Sequence, residues 1–137
     1  MQPYFEKEFV SIEHDKRNAI VVMKWKSNPT SEEYRLGLNT LLFAMQQFKT
    51  GRVIIDTVQL GEVTSEDRQW SATTWTNMAV RSGYSHQATI VSADDFSKLP
   101  AEDVVSKEVG ILLFATFDNH QAAHDWMNTE YKRAESI

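Results

Sequence analysis

Residues 52–70, RVIIDTVQLGEVTSEDRQW, contain the pattern that decides the predicted fold. The unbroken apolar run at residues 53–55 is typical of a strand that is covered on both faces. Asp56 and Thr57 follow at the carboxyl end of this strand, where open α/β sheets usually bind ligands. Thr64 and Ser65 then begin a helix that has acidic residues in its first turn. The stretch therefore predicts a strand-turn-helix unit with a candidate binding site. No residue pattern in it indicates a particular reaction.

Upstream of this unit, the pattern predicts a β-hairpin and a long helix. Residues 9–14 and 20–26 are alternating or apolar, and the polar residues 15–18 between them have the length of a hairpin turn. The alternating Lys24 and Lys26 suggest that the second strand lies at a sheet edge. Thr30 and Glu33 have the spacing of a capping box, which marks a helix start. The apolar side of this helix comprises Tyr34, Leu38, Leu41, Leu42, Met45 and Phe48.

Downstream of the unit, strands and helices continue to alternate. The helix that begins at residue 64 is expected to continue to about residue 82, and its predicted inward residues are Ala72, Trp75, Met78 and Ala79. Residues 88–92 and 111–117 are predicted strands, residues 99–107 a short helix, and Asp118 the cap of a last helix. We therefore predict one α/β domain over residues 1–137, with a mostly parallel five-stranded sheet, an N-terminal antiparallel hairpin and about four helices.

The composition of the chain excludes several classes of function. The formal net charge of −5 and the scattered basic residues argue against binding to nucleic acid or to an anionic membrane. The absence of cysteine excludes disulfides, thiolate catalysis and cysteine zinc sites. The first ten residues, MQPYFEKEFV, lack the basic end and apolar core of a signal peptide, and no stretch has the length of a membrane span. We expect a cytoplasmic protein without stable membrane insertion.

The residues capable of acid/base or metal chemistry form no recognised catalytic motif. Four pairs of adjacent acidic residues each lie at a predicted helix start, where the helix dipole favours negative charge. His120 and His124 have metal-ligand spacing but lack the glutamate of a zinc protease motif. The chain has neither a nucleophile elbow nor a glycine-rich phosphate loop. We therefore expect no catalytic residue, metal or cofactor, and an acid/base enzyme using Asp56 with His86 or His120 stays the least favoured alternative.

Two pairs of large apolar residues suggest contact surfaces. Trp70 and Trp75 are about 140° apart around a helix, so one of them is a candidate for lining a pocket or an interface. The alternative is a wide buried face that accommodates both rings. Leu36 and Phe43 lie seven residues apart, opposite the apolar side of the first long helix. They are candidates for a homodimer or partner surface, although single exposed apolar residues are also ordinary.

Four segments of the chain carry a resemblance to a known family. The segments are YFEKEFVSIEHDKRNAIVVMKW, DTVQLGEVTSEDRQWSATTW, QATIVSADDF and FATFDNHQAAHDWM. Together they resemble the bacterial STAS/SEC14-like family, which is related to anti-sigma-factor antagonists. The resemblance implies a non-enzymatic domain that binds a protein partner or a small ligand, and its SEC14 side implies an apolar ligand.

The resemblance also implies a phosphorylation site at the start of the helix that follows the central strand. Here Thr64 and Ser65 are the approximate counterparts, without the D-S-S-G-like motif of the antagonists. The alternative for Thr64 is a helix N-cap. The leading expectation is a regulatory or interaction domain that binds its partner or ligand around Asp56, Thr57, Thr64, Ser65, Trp70 and Trp75. The runner-up is a carrier of an apolar, lipid-like small molecule.

Overall fold

The computed structural model describes residues 1–104 and 107–135, which form one seven-stranded sheet with helices on both faces. The strands are β1 (Gln2–Glu6), β2 (Val10–Asp15), β3 (Ile20–Trp25), β4 (Arg52–Asp56), β5 (His86–Ile90), β6 (Lys107–Val109) and β7 (Leu112–Phe117). The helices are α1 (Ser31–Phe48), α2 (Ser65–Trp70), α3 (Thr76–Arg81), α4 (Ala93–Ser97), α5 (Ala101–Val104) and α6 (His120–Glu135). A π-helical turn, Ser71–Trp75, joins α2 directly to α3.

The sheet is mixed, with the strand order β1-β2-β3-β4-β5-β7-β6. β3, β4, β5 and β7 are parallel, whereas β1 pairs antiparallel with β2, β2 with β3, and β6 with β7. The α/β class and the antiparallel N-terminal hairpin are confirmed, and the strand count differs, since the sheet has seven strands where five were predicted. β1 contains Pro3 and a register shift between Pro3 and Phe5, and β6 has only three residues, so neither strand gives a regular alternating pattern.

The prediction of an edge position for the strand that carries Lys24 and Lys26 is also wrong. β3 lies between β2 and β4 and pairs with both. The Lys26 ammonium instead contacts the Glu6 carboxylate at 2.7 Å, so this basic residue links the end of β3 to β1 across the intervening β2.

The two faces of the sheet carry separate apolar clusters. On the first, which we call the cleft face, Val21, Met23, Val53 and Ile55 pack with α1, the π turn and α3. On the second, the α6 face, Ile20, Val22, Ile54 and Ala88 pack with Ala123 and Met127 of α6. Both crossovers between β3 and β5 lie on the cleft face, because right-handed connections that advance in one direction along a sheet stay on one side.

α1 follows its sequence pattern closely. The Thr30 hydroxyl accepts from the Glu33 backbone N–H at 3.1 Å, and the Glu33 carboxylate accepts from the Thr30 N–H at 2.9 Å, which completes the predicted capping box. Gly37 lies against β3, where an added Cβ would come within 2.6 Å of the Trp25 ring. None of the helices in the described ranges is both long and apolar enough to cross a membrane.

The helix after β4 is not the regular helix that its spacing predicts. The Thr76 backbone N–H donates to the Ser71 carbonyl five residues earlier, and the wider turn disrupts the 3.6-residue repeat. Trp75 and Ala79 are buried as predicted. Ala72 and Met78 are exposed, so the prediction that they point inward is wrong.

The last crossover and the start of α6 also differ from their predictions. The predicted strand at residues 88–92 is β5, shifted to His86–Ile90. The predicted helix at 99–107 is shortened to α5; α4, which was not predicted, precedes it, and β6 begins at Lys107. Positions 105 and 106 of that predicted helix, like 136 and 137 of the predicted domain, lie outside the described residues. α6 is capped by Asn119, whose side-chain oxygen accepts from the Ala122 N–H at 2.8 Å. The predicted Asp118 cap is thus wrong by one position, since Asp and Asn are nearly equal as N-caps.

Candidate functional site

The sequence-predicted site residues are split between the two faces of the sheet. Consecutive residues of a strand point to opposite faces, so Ile55 and Asp56 at the end of β4 separate there. Ile55 belongs to the cleft face, while the Asp56 carboxylate contacts His120 of α6. Trp75 is buried on the cleft face. The predicted residues therefore do not converge on a single site.

A cavity of about 210 Å³ lies on the cleft face between α1 and the π turn, and we call it the α1–π cleft. α1 contributes two of its lining residues, the sheet contributes two, and the π turn and the start of α3 contribute four. The residues are Tyr34, Leu38, Ile55, Ser71, Ala72, Trp75, Thr76 and Gln87. Aromatic, aliphatic, hydroxyl and amide groups thus meet in one small space.

Trp75 connects the π turn to α1. Its indole Nε1–H donates to the Leu38 carbonyl at 2.7 Å, so the ring's polar atom is satisfied inside the core. The ring also meets Tyr84 edge to face, with centroids 5.5 Å apart. Only 3% of Trp75 is exposed, which makes it a fixed part of the cleft wall.

Tyr34 and Ser71 form a polar contact across the cleft. The Tyr34 hydroxyl donates to Ser71 Oγ at 3.0 Å, and Ser71 Oγ donates to the Arg68 carbonyl at 2.9 Å. The Tyr34 ring stacks on Trp25 at 5.5 Å. Burial raises the pKa of Tyr34, and the negative charge of Asp67 adds to this increase, so the hydroxyl stays neutral.

Gln87 supplies the amide of the cleft from β5. Its Oε1 accepts from the Tyr84 hydroxyl, and its Nε2 donates to Thr89 Oγ1 at 2.9 Å. Burial raises the pKa of Tyr84, so the phenol remains a donor. Gln87 and Thr89 alternate with buried Ala88 and Ile90, so β5 places polar residues on the cleft face where the neighbouring β4 places apolar ones.

A polar brace joins the start of α1 to α2 beside the cleft. Asp67 is buried and accepts from the Ser31 hydroxyl at 2.8 Å and from Arg35 Nε at 3.0 Å. The Ser31 hydrogen bond and the Arg35 guanidinium hold the pKa of Asp67 below its usual range. The Arg35 guanidinium also lies 4.8 Å from the Trp70 ring centroid. Trp70 therefore belongs to this brace, and it is not among the residues that line the cleft.

Asp56 and Thr57 make local contacts at the carboxyl edge of the sheet. Asp56 Oδ1 accepts from the Val58 N–H at 3.0 Å, and Asp56 Oδ2 lies 2.9 Å from His120 Nε2. The Thr57 hydroxyl donates to the Ile90 carbonyl at 2.9 Å. His86 pairs in register with the other end of β4, so of the two histidines considered with Asp56, only His120 meets it.

The remaining predicted residues lie on helix surfaces. Thr64 caps α2, because its hydroxyl accepts from the Asp67 N–H at 3.2 Å, and Ser65 is exposed in the first turn. Leu36 and Phe43 are 45% and 60% exposed on α1. His120 and His124 lie with ring centroids 6.4 Å apart, and no group of three metal-ligating side chains occurs among the described residues.

Comparisons were made with protein-family models, with curated proteins and with solved structures, and none of the three gave a match. The arrangement of the side chains in the chain itself therefore carries the functional argument.

Sequence reasoning found Trp75 but missed most of the cleft. Tyr34 and Leu38 were predicted as core residues, and Ser71, Thr76 and Gln87 were not singled out. Two signals were present in the chain. The run of small and hydroxyl residues SATT precedes Trp75, and two polar residues alternate along an otherwise buried strand, β5.

Proposed function

We propose that this chain is a cytoplasmic, non-enzymatic regulatory domain that binds a small ligand in the α1–π cleft. The observation that carries the proposal is the convergence of Tyr34, Trp75 and Gln87 on one cavity of about 210 Å³. Binding sites for small molecules are typically concave, mostly apolar and provided with a few fixed polar groups. The described lining combines aromatic and aliphatic side chains with polar groups, and these polar groups are held by hydrogen bonds to neighbouring residues.

The π turn supports this choice of site. π-helical turns are rare, and those that occur are found frequently at functional sites. Here the turn provides Ser71, Ala72 and Trp75 to the cleft, and Thr76 follows it directly. A regular helix would have placed these residues at different angles around its axis.

The proposal extends to the STAS/SEC14-like resemblance and to dimerisation. A regulatory domain of that family binds a small ligand or a protein partner, and the alternation of strands and helices from β3 to α6 supports the relationship. Leu36 and Phe43 supply two exposed apolar side chains on the outer side of α1, which suits a homodimer contact. Phosphorylation at Thr64 or Ser65 has less support, because Thr64 already serves as an N-cap and Glu62 and Glu66 oppose added negative charge.

A steric block of the cleft tests the proposed function. Ala72 is exposed but lines the cleft, so Ala72→Phe fills the space without removing a buried side chain. Ala93→Phe, at the exposed start of α4, is the matched control. We expect a library of small neutral and charged fragments, examined by ligand-observed NMR, to give hits with the wild type and Ala93→Phe that disappear with Ala72→Phe. An identical set of hits for all three proteins would contradict a site in the cleft.

The contact between Asp56 and His120 supports a second candidate, an acid/base enzyme. A buried carboxylate that orients a half-exposed imidazole is a common arrangement around a general base. Neither residue lines the α1–π cleft, so this candidate places its chemistry at a different location. We expect no difference between the wild type and His120→Asn in the hydrolysis of activated esters across pH 5–9. A bell-shaped rate profile that is lost in His120→Asn and retained in His86→Asn would establish the enzyme and displace the binding domain.

A further inference from the structure

We propose that the α1–π cleft selects a neutral, planar, single-ring aromatic compound that carries an N–H or O–H donor. This inference rests on the proposed function, since it names the chemical class of ligand for the same site. It follows from the size of the cleft, the side chains that line it, its remaining hydrogen-bonding capacity and its charge.

The volume of the cleft limits the part of a ligand that it encloses to about a single ring. A protein cavity of about 150 Å³ lined by apolar side chains is sufficient to hold benzene. The α1–π cleft, at about 210 Å³, therefore accommodates one aromatic ring and a short substituent. A lipid chain or a nucleotide is much larger than this space, which argues against the lipid-like carrier within this cleft.

The lining favours a flat ring over a flexible chain. Tyr34 and Trp75 provide aromatic surfaces, and Leu38, Ile55 and Ala72 provide aliphatic ones. Stacked and edge-to-face aromatic contacts are favourable beyond the burial of their area. Both aromatic rings are fixed by contacts of their own, Tyr34 by stacking on Trp25 and Trp75 by its hydrogen bond to α1, so a ligand meets rings that are already positioned.

The hydrogen-bonding capacity that remains in the cleft calls for a donor on the ligand, accompanied by an acceptor for the remaining N–H of Gln87. The hydroxyl groups of Tyr34 and Thr76 both donate inside the protein, to Ser71 Oγ at 3.0 Å and to the Ser71 carbonyl at 2.7 Å. Their oxygens keep lone pairs that accept from a ligand. Gln87 uses one amide N–H for Thr89 and keeps the other, so an amide or phenol substituent finds complementary groups.

The charge around the cleft disfavours an anion. None of the eight lining residues carries a charge at neutral pH. The brace beside the cleft carries both signs, because the buried Asp67 carboxylate is paired with Arg35, and beyond the effect of burial the pKa of Tyr34 is raised by Asp67 and lowered by Arg68. A carboxylate ligand would lose its hydration there without gaining a cationic partner from the cleft wall, and that desolvation is costly.

Three probes of similar size test the inference. Benzamide is planar, neutral and a donor, benzoate is its anionic counterpart, and cyclohexanecarboxamide keeps the amide but lacks the aromatic ring. We expect NMR titration to give a Kd for benzamide at least tenfold lower than for either of the other two. Ala72→Phe should abolish the binding of benzamide, and Ala93→Phe should leave it unchanged.

Each contrary result overturns a defined part of the argument. Equal or tighter binding of benzoate would overturn the selection for neutral ligands, and equal binding of cyclohexanecarboxamide would overturn the aromatic requirement. Failure of benzamide to bind while other library fragments still lose binding in Ala72→Phe would overturn the ligand class and preserve the proposed function. Benzamide binding that persists in a folded Ala72→Phe variant would overturn the site itself.

Discussion

The two faces of the sheet are closed by different means. The cleft face is covered by α1 and by the helical segment that runs from α2 through the π turn to α3, and its cluster contains Trp25, Trp75 and Tyr84. The α6 face has a smaller cluster covered by α6, which is fastened to the sheet by polar contacts. On the cleft face, two helical segments meet over large aromatic residues and leave a cleft between them. On the α6 face, a single helix fits closely against the sheet and is held there by polar contacts.

A matched pair of methionines provides the strongest test of this difference. Met45 on the cleft face and Met127 on the α6 face are both almost fully buried. Replacement of a buried methionine by alanine costs about 2–5 kcal/mol, depending on how well the site collapses. We expect urea denaturation to place Met45→Ala near the upper end of this range and Met127→Ala near the lower end, since one helix settles more easily onto a sheet than two interlocked ones. Hydrogen exchange should rise across the protein in the first variant and mainly in α6 in the second, and the reverse order would contradict the comparison.

Removal of the Arg52 anchor should have the next largest effect. Arg52 is buried, and its guanidinium donates to the Asn18 carbonyl in the β2–β3 turn and to the Met127 carbonyl in α6 at 2.7 Å. Hydrogen bonds to charged groups contribute about 1.5–3 kcal/mol. Arg52→Met keeps the apolar stem, so we expect a loss of about this size in the free energy of unfolding, with faster hydrogen exchange in α6. Arg17→Met, at an exposed position, is the control and should change stability by less than about 0.5 kcal/mol. Equal losses in the two variants would show that α6 does not depend on this anchor.

The dependence of stability on pH gives a smaller contrast between the faces. Burial lowers the pKa of His14, on the cleft face, and of His124, on α6, below the usual 6.5. When folding lowers the pKa of a histidine, the folded state favours the neutral imidazole. The resulting contribution to the free energy of unfolding is complete above pH 6.5 and is lost as the pH falls below that value. His14 stacks on Phe48 at 3.8 Å and is the more deeply buried of the two. We expect His14→Gln to flatten the decline of stability between pH 6.5 and 5 more than His124→Gln does. If stability declines with the same slope in both variants as in the wild type, titratable groups other than these two histidines cause the decline.

The smallest effect on folding is expected on the exposed side of α1. Leu36→Gln and Phe43→Gln should each change the free energy of unfolding by less than about 0.5 kcal/mol, because these side chains are largely exposed. We expect the same substitutions to weaken a homodimer measured by sedimentation equilibrium, whereas Arg17→Gln, at the exposed β2–β3 turn and away from α1, should not. A wild type that sediments as a monomer at all concentrations would contradict the proposed dimer contact.

Local patterns predicted the fold well where one interaction dominates. The capping box of α1, the central strand at residues 53–55 and the β2–β3 hairpin are encoded over a few neighbouring residues. β1 was not predicted, because Pro3 and the register shift disturb the alternation of its side chains. Its strand conformation depends on pairing with β2, which a local pattern does not show. The position of the Asn119 cap was missed because two adjacent residues are equally suited to that role.

The candidate site was less predictable than the fold. Asp56 and Trp75 both come from the strand-turn-helix unit, but alternation along β4 sends the Asp56 side chain to the α6 face. The π turn depends on the surroundings of residues 71–75, and no local propensity indicates it. Gln87 gains its role from Tyr84 and Thr89, both near in sequence, and from α1, which lies far from it along the chain.

The hydrogen bond from Arg52 to Met127 has a consequence for the order in which the chain folds during its synthesis. Its partners are 75 residues apart, so this N–H of Arg52 has to stay hydrated until Met127 has been synthesised and has left the ribosome. Most of the cleft-face cluster, by contrast, is encoded between residues 10 and 84. The cleft-face half of the molecule can therefore condense first, with α6 docking afterwards.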